Sequence, residues 1–384
     1  MNIYFRKKGI IKGVDVDKVI FRKAEYDYTI LKPLLFEMID SACGASIVKG
    51  MRVLIKPNLL LPAKPEAAVI THPLVVKAAA EYVLEKGGTV KISDSPAIGL
   101  FAKILRDGGY RKAFEGLDVE FTEFKRSVKI DIGEPFGFIE IAKDALEADA
   151  VINIAKLKTH AQMFLTLGVK NLFGCIVGFK KPEWHLRSGI DREVFARLLV
   201  RIHRAVSPQV TIVDGILGME GQGPGKGGTP RRLGVLAGGS SAFAVDVAIC
   251  RMLGADPDRL PTNKAAKELE LTDYNVDVTG DYEVINDFVF PIQDPLTFGP
   301  RPIHRILRKH LVQRPAADNN LCKICGECWK YCPAEAISHD KEKVSFDYDR
   351  CIRCYCCIEV CPEGALKAVE TFPGKIIRRL LLPH

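Results

Sequence analysis

The sequence predicts an α/β protein: a mainly parallel sheet with helices on both faces, plus a small α+β domain at the C-terminus. Three observations predict it. Short apolar runs alternate with helical periods from about residue 50 to residue 253. Most of those runs end abruptly in polar residues. A cysteine pattern then occurs twice beyond residue 320. Strands that alternate with helices at this spacing argue a parallel sheet covered on both sides.

The elements follow in order. Tyr4 to Val19 has alternating character and is expected as a hairpin. A helical period runs from about Ile30 to Val48, with Leu31, Leu34, Leu35, Met38 and Ile39 on one side. Val53 to Ile55 is a strand that ends in Lys56-Pro57-Asn58. Thr71-His72-Pro73 opens a helix: Thr71 or His72 near the cap, Pro73 in the first turn, and Gly87-Gly88 as the stop. Thr89 to Ile92 is a strand ending in Ser93-Asp94-Ser95-Pro96, followed by a helix to Gly108-Gly109. Val119 to Phe124 is another strand. Ala150 to Ile154 is a buried strand that runs out into Lys156-Leu-Lys158-Thr-His160. Met163 to Val177 is an apolar helix or loop, and Arg192 to Val206 is a helix. Val210 to Val213 is a strand ending in Asp214, and Leu233 to Ala237 is the next, before a helix from Phe243 to Leu253.

Open sheets of this kind bind ligands beyond the carboxyl ends of their strands. Lys56, Asn58, Asp94, Ser95, Lys156, Lys158, His160 and Asp214 all lie there. One polar strand end is ordinary turn chemistry. Four of them carrying Lys, Asn, Asp and His predict a shared pocket. The run Gly168-Val-Lys170-Asn171-Leu-Phe-Gly174-Cys175, with Lys180, Lys181 and His185, adds cations. It reads as an anion site for phosphate or carboxylate near a helix start, or as a solvated basic face. Cys175, among Phe, Ile and Val, is expected to be buried and inert. Gly218 to Gly228 is glycine-rich but carries no phosphate-loop pattern, because Gly follows Lys226. It is no dinucleotide fingerprint either, because Pro224 and Pro230 interrupt it. It is expected as a mobile loop over the pocket or a plain surface loop.

The C-terminal pattern is more specific. Cys322, Cys325, Cys328 and Cys332 before Pro333 fit C-x2-C-x2-C-x3-C-P, and so do Cys351, Cys354, Cys357 and Cys361 before Pro362. This is the bacterial ferredoxin run that binds [4Fe–4S] clusters. A shift of 29 positions also maps Ala336 onto Ala365 and Ile337 onto Leu366, so the segment is an internal repeat. Three close thiolates wrap one cube, and the fourth, before Pro, points to the other. Cluster one is therefore assigned to Cys322, Cys325, Cys328 and Cys361, and cluster two to Cys351, Cys354, Cys357 and Cys332. Zinc sites would instead use two-plus-two pairs. Cys356 is excluded by the spacing.

The chain of 384 residues divides into an α/β domain at 1–290, a Pro-rich linker and basic helix at 291–317, a two-cluster ferredoxin-like domain at 318–370 and a tail at 371–384. The tail is amphipathic and basic and is expected to pack on its own protein. The formal charge of +8 falls to about +4 once two cubes of charge −2 are counted. No basic stripe with interleaved aromatics occurs, so nucleic acid is not an expected partner. There is no signal layout and no apolar run of about 18 residues, so no integral membrane segment is expected. Thiolate ligands and scattered cysteines fit a reducing cytoplasm.

The segments KPNLL, DSPAIG, INIAKLKTH, GVKNLFGCIVG and VDGILGMEGQGP, in that order, resemble the family called domain of unknown function 362. The resemblance spans roughly 50 to 250. Members commonly carry a C-terminal two-cluster ferredoxin, and the resemblance implies an iron–sulfur protein of anaerobic metabolism without an established reaction. A more distant likeness to the nickel-pincer racemase fold would make Lys156, Lys158, His160 and His185 candidate cofactor ligands.

The residues together predict a redox enzyme. An anionic small molecule or cofactor is held by Lys56, Asn58, Lys156, Lys158, Lys170 and Asn171. His160 or His72 transfers protons, Asp94 and Asp214 orient donors, and the clusters supply electrons from a redox partner protein. The alternatives are an electron-transfer or assembly module without catalysis, and a redox sensor.

Overall fold

The computed structural model describes residues 16–43, 46–189, 191–292 and 310–381. The expected hairpin from Tyr4 and most of the linker and basic helix lie outside them. Strands β1 (Asp17–Lys23), β2 (Arg52–Pro57), β3 (Thr89–Asp94), β4 (Glu120–Glu123), β5 (Ser127–Asp131), β6 (Phe138–Ala142), β7 (Ala150–His160), β8 (Phe164–Thr166), β9 (Val210–Gly221), β10 (Gly228–Gly239) and β11 (Val276–Gly280) belong to the large domain. All but the β5–β6 hairpin form one nine-stranded sheet in the order β11-β1-β10-β9-β7-β2-β3-β4, with β8 beside β7. The run β9-β7-β2-β3-β4 is parallel. Antiparallel pairs join β10 to β9 and to β1, and β8 to β7.

Side chains of the central strands alternate between the faces, as strand geometry requires. Val53 and Ile55 of β2, with Ile152 and Ile154 of β7, enter one core beneath the helices Tyr28–Cys43 and Pro73–Glu85. Leu54 and Val151 enter the opposite core beneath Arg192–Val206. That last helix shows how the sequence sets its own limits. Asp191 caps it by accepting from Glu193 and Val194 N–H, and Ser207 ends it with φ of 49°. Phe195, Leu198, Leu199, Ile202 and Val206 fall on one buried face, each such burial contributing about 1.5–3 kcal/mol.

Two expectations change. Gly218–Gly228 is not a free loop: β9 and β10 extend through it as a paired hairpin, leaving a short turn. Met163–Val177 is neither one helix nor a plain loop. It contains β8, a turn of helix at Gly168–Asn171 and a tighter turn to Cys175.

The C-terminal module contains β12 (Arg314–Ala317), β13 (Ile337–His339), β14 (Val344–Phe346) and β15 (Leu366–Val369), with one-turn helices at Glu327–Lys330 and Cys356–Glu359. β12, placed in the linker by sequence, pairs with β15 and so belongs to the module. The repeat extends to the backbone. Positive φ occurs at Ile324, Gly326 and Glu335 and, 29 positions later, at Arg353, Tyr355 and Gly364. The module packs on the carboxyl ends of the sheet. Ala161 sits in a cluster with Tyr355 and Ile358, and Ala97 and Ile98 pack against Tyr331 and Val360. The tail helix Phe372–Leu381 begins against the module's first residues, where Thr371 donates to the His310 carbonyl at 2.5 Å.

Candidate functional site

The cysteines gather around two small cavities. One is lined by Cys322, Cys325, Cys328 and Cys361, the other by Cys332, Cys351, Cys354 and Cys357, with Cys356 alongside. Each set draws three thiols from one half of the repeat and one from the other, and four is the donor number of a [4Fe–4S] cube. Ala336 N–H points to Cys332 Sγ at 3.4 Å, and its repeat counterpart Ala365 N–H points to Cys361 Sγ at 3.3 Å. Among the described residues, no three His, Cys, Asp or Glu side chains converge on one ion.

A second site lies between the sheet and the module. A narrow cavity of about 50 Å³ is bordered by Lys56, Asn58, Asp94, Lys158, Lys170 and Asn171, as the strand ends predict. Ser95, Thr166, Lys181 and His185 complete its sheet side, and Tyr331 and Glu359 close it from the module. The polar walls are tied together. Lys56 Nζ pairs with Asp94 at 2.8 Å in full burial. Lys158 Nζ donates to Asn58 Oδ1 and to the Val69 carbonyl, both at 2.8 Å. Asn58 Nδ2 donates to Asn171 Oδ1 at 3.0 Å, and Asn171 Nδ2 donates to Asn153 Oδ1 at 2.8 Å. Lys181 Nζ donates to the Ser95 carbonyl at 2.7 Å and to its hydroxyl at 2.8 Å.

The GVKNLFG run is built around this wall. Gly168 and Val169 N–H donate to the buried Asp246 carboxylate at 2.8 and 3.1 Å, which fixes the turn that presents Lys170. A Cβ at Gly174 would collide with the Asp94 carboxylate and the Lys56 ammonium, so only glycine fits there.

Burial sets the electrostatics. It pushes Lys158 down to about 7 and Lys181 down to about 8, against the pull of Glu359 and Asp94. It lowers Lys170 as well, and that ammonium makes no hydrogen bond or ion pair among the described residues. Burial also drives His160 well below its ordinary value, helped by Lys170, and His185 down to about 3. Both rings are neutral at pH 7. His160 Nδ1 accepts from Gln162 and Met163 N–H at 3.1 and 3.2 Å, so its proton sits on Nε2. Among the described residues, His160 Nε2, Thr166 Oγ1 and His185 Nδ1 are buried without a partner. Such atoms are costly unless something pairs with them.

The structure does not bring every predicted residue here: His160 is buried with its Nε2 4.0 Å from the Glu359 carboxylate and is not part of the cavity lining. Lys156 pairs with Asp214 at 2.8 Å and accepts no place in the cavity wall. Tyr26 donates to Asp214 at 2.8 Å and stacks on His72 at 3.6 Å. Burial alone would raise Asp214, yet the Lys156 ammonium and the His72 N–H hold it below the ordinary value. His72 is a helix cap: its Nδ1 accepts from Leu74 N–H at 3.3 Å, and burial lowers it to about 4. This group is a separate buried anchor. Lys180 is on the surface, paired with Glu140. Cys175 is buried as expected, and burial pushes its thiol up to about 12. Glu359, Tyr331, Thr166 and Tyr26 were not anticipated. No sequence signal marks them, because module docking and a long-range stack bring them in.

Residues 53–251 match the family described as domain of unknown function (DUF362), and residues 314–362 match a 4Fe-4S dicluster domain. The chain belongs to the DUF362 family. It is 37% identical over 292 residues to the thylakoid-associated protein sll1697 of Synechocystis sp., covering 74% of this chain and 89% of that one. Its C-terminal part is 39% identical over 58 residues to the pyruvate synthase subunit PorD of Methanocaldococcus jannaschii, covering 15% of this chain and 67% of that subunit. The lactate racemase apoprotein of Thermoanaerobacterium thermosaccharolyticum aligns over 51% of this chain and 50% of its own, with a TM-score of 0.35 and 14% identity. This DUF362 protein is an iron–sulfur protein with two [4Fe–4S] clusters in a ferredoxin-type domain. Among the described residues, no helix is long and apolar enough to cross a membrane.

Proposed function

We propose that the protein is a redox enzyme that reduces a small anion held in the lysine pocket. Cluster one is held by Cys322, Cys325, Cys328 and Cys361, and cluster two by Cys351, Cys354, Cys357 and Cys332. The clusters supply single electrons, received from a redox partner protein. One observation carries this reading. The short helix Cys356–Glu359 lends Cys357 to the cluster-two cavity and Glu359 to the wall of the lysine pocket. Cluster two thus stands directly behind the pocket. Lys170 and the third donor of Lys158 face the anion, Thr166 adds a hydrogen bond, and Lys158, poised near neutrality, supplies the proton.

The test is anion binding to the anaerobically reconstituted protein, with formate, bicarbonate, sulfite and phosphate as probes. At least one should bind, and K170A should weaken it by about tenfold or more while cluster absorption stays intact. Failure of all four to bind, or unchanged binding in K170A, overturns the reading.

A second reading is an electron-transfer module for a partner enzyme. The likeness of the C-terminal part to a subunit of pyruvate synthase favours it. Under that reading, capture of a redox partner survives K170A and no small anion binds.

A further inference from the structure

The carboxylate of Glu359 has an unusual setting. It faces a pocket that Lys56, Lys158, Lys170 and Lys181 border from the other domain. His160 Nε2 lies 4.0 Å from it. It reaches none of the four ammonium groups within ion-pair distance among the described residues. Lys56 already has its counter-ion in Asp94. Lys158 and Lys181 are held by neutral oxygens, and Lys170 by nothing among the described residues. The wall therefore holds more positive than negative charge, and Glu359 offsets part of that excess at a distance.

The repeat does not require an acid at this place. The counterpart of Glu359, 29 positions earlier, is Lys330. Lys330 packs back over Gly326 within its own half of the module. Glu359 is therefore a departure from the repeat on the half that meets the sheet. The backbone beneath it is also pressed from behind. A Cβ at Gly225, in the β9–β10 turn, would lie 3.0 Å from the Glu359 carbonyl oxygen. That turn holds the helix and so fixes how far the carboxylate reaches.

Two buried polar atoms of the lining point to an occupant: Thr166 Oγ1 and His185 Nδ1 have no partner among the described residues, in residues 3% and 4% exposed. Glu359 lies too far from His160 Nε2 to bond it.

We propose that Glu359 is a resident counter-anion, whose carboxylate stands in for the charge of a small oxyanion and is displaced when that oxyanion binds to Lys170, Lys158 and Thr166. This deepens the reading above and rests on it. The pocket then selects small oxyanions with several acceptor atoms, which can replace one distant carboxylate by direct bonds to Lys170 and Thr166. Displacement moves a side chain on the helix that carries Cys357, so occupancy of the pocket is felt at cluster two.

The test measures the affinity of whichever probe binds best among formate, bicarbonate, sulfite and phosphate. Wild type, E359Q and E359D are compared anaerobically, each checked for full iron content. E359Q removes the competing charge and is expected to bind about tenfold more tightly or better. E359D withdraws the carboxylate by one methylene and should tighten binding less. It serves as the deciding variant if E359Q fails to retain iron. Hydrogen exchange at the amides of 356–359 should rise when the probe is added to wild type and not to E359Q. Unchanged or weaker binding in the iron-replete variants overturns the proposal, and so does unchanged exchange in wild type. A probe that binds wild type but ignores the Glu359 substitutions sinks this inference alone. No binding to wild type sinks the anion-reducing function itself.

Discussion

His160 Nε2 lies 4.0 Å from the Glu359 carboxylate, across the junction of the two domains. His160 ends the long buried strand β7, and Glu359 ends a one-turn helix of the cluster module. Neither residue reaches that position by local folding. β7 must extend past the point where its apolar pattern stops, and the module must dock with Ala161 against Tyr355 and Ile358. The pocket is thus a product of assembly: the sheet supplies the cations and the module supplies the acid. Electron supply and ligand site become neighbours for the same reason, since an apolar contact between domains brings the cluster cysteines to the strand ends.

Anion affinity should fall as pH rises through about 7, the value to which burial pushes Lys158. An anion favours the protonated lysine, so binding is strongest below this pH. Lys170 and Lys156 also lower Lys158, while Glu359 and Asp94 oppose them. The linkage to stability has the opposite direction. Lys158 sits at about 7 when folded, against an ordinary 10.5. Between these values the unfolded chain binds more protons, so stability without anion rises with pH across that window. Lys181, at about 8, adds the same sign. Anion titrations and denaturant melts at several pH values measure both trends. K158M should flatten each of them, and a melt whose stability falls across the window contradicts the assignment.

Gly174→Ala should destabilise the large domain by about 3 kcal/mol or more. The added methyl meets the Asp94 carboxylate and the Lys56 ammonium, a buried ion pair that must shift to admit it. Overpacking and a disturbed buried ion pair then act together. Chemical denaturation followed by circular dichroism checks this. A loss below about 1 kcal/mol would show that the wall is softer than its contacts imply.

Much of this was legible in the sequence, and the reason differs by element. The helix from Arg192 to Val206 was readable because a cap, an apolar face and a stop coincide locally. Lys56, Asn58, Asp94 and Lys158 were placed together because strand ends in a parallel sheet converge. Lys156 and Asp214 obey the same rule yet form their own pair, because adjacent strands set them opposite each other in register. The glycine-rich run was misread because a paired hairpin and a mobile loop share a composition, and only the partner strand separates them. Glu359 was invisible. Its neighbours in sequence are cluster cysteines, and its neighbours in space come from β7 and the Gly168–Asn171 turn.

Cys357, not Cys356, should prove to be the ligand of cluster two. Both thiols border its cavity and both are buried, so proximity does not separate them. The repeat does. A shift of 29 positions carries Cys328 onto Cys357 and Glu327 onto Cys356, and the flanking left-handed residues Gly326 and Tyr355 keep the same shift. The two one-turn helices therefore aim equivalent side chains at equivalent cavities, and Cys356 occupies the place of a residue that is no ligand. C356S should retain the full iron content and the paramagnetic signals of both reduced clusters. C357S should lose about half of the iron, with cluster one intact, since that cube draws on Cys322, Cys325, Cys328 and Cys361. Iron and sulfide analysis with electron paramagnetic resonance decides between them. If C356S loses iron while C357S keeps it, the ligand frame must be shifted by one residue and the pseudo-symmetry of the module abandoned at that point.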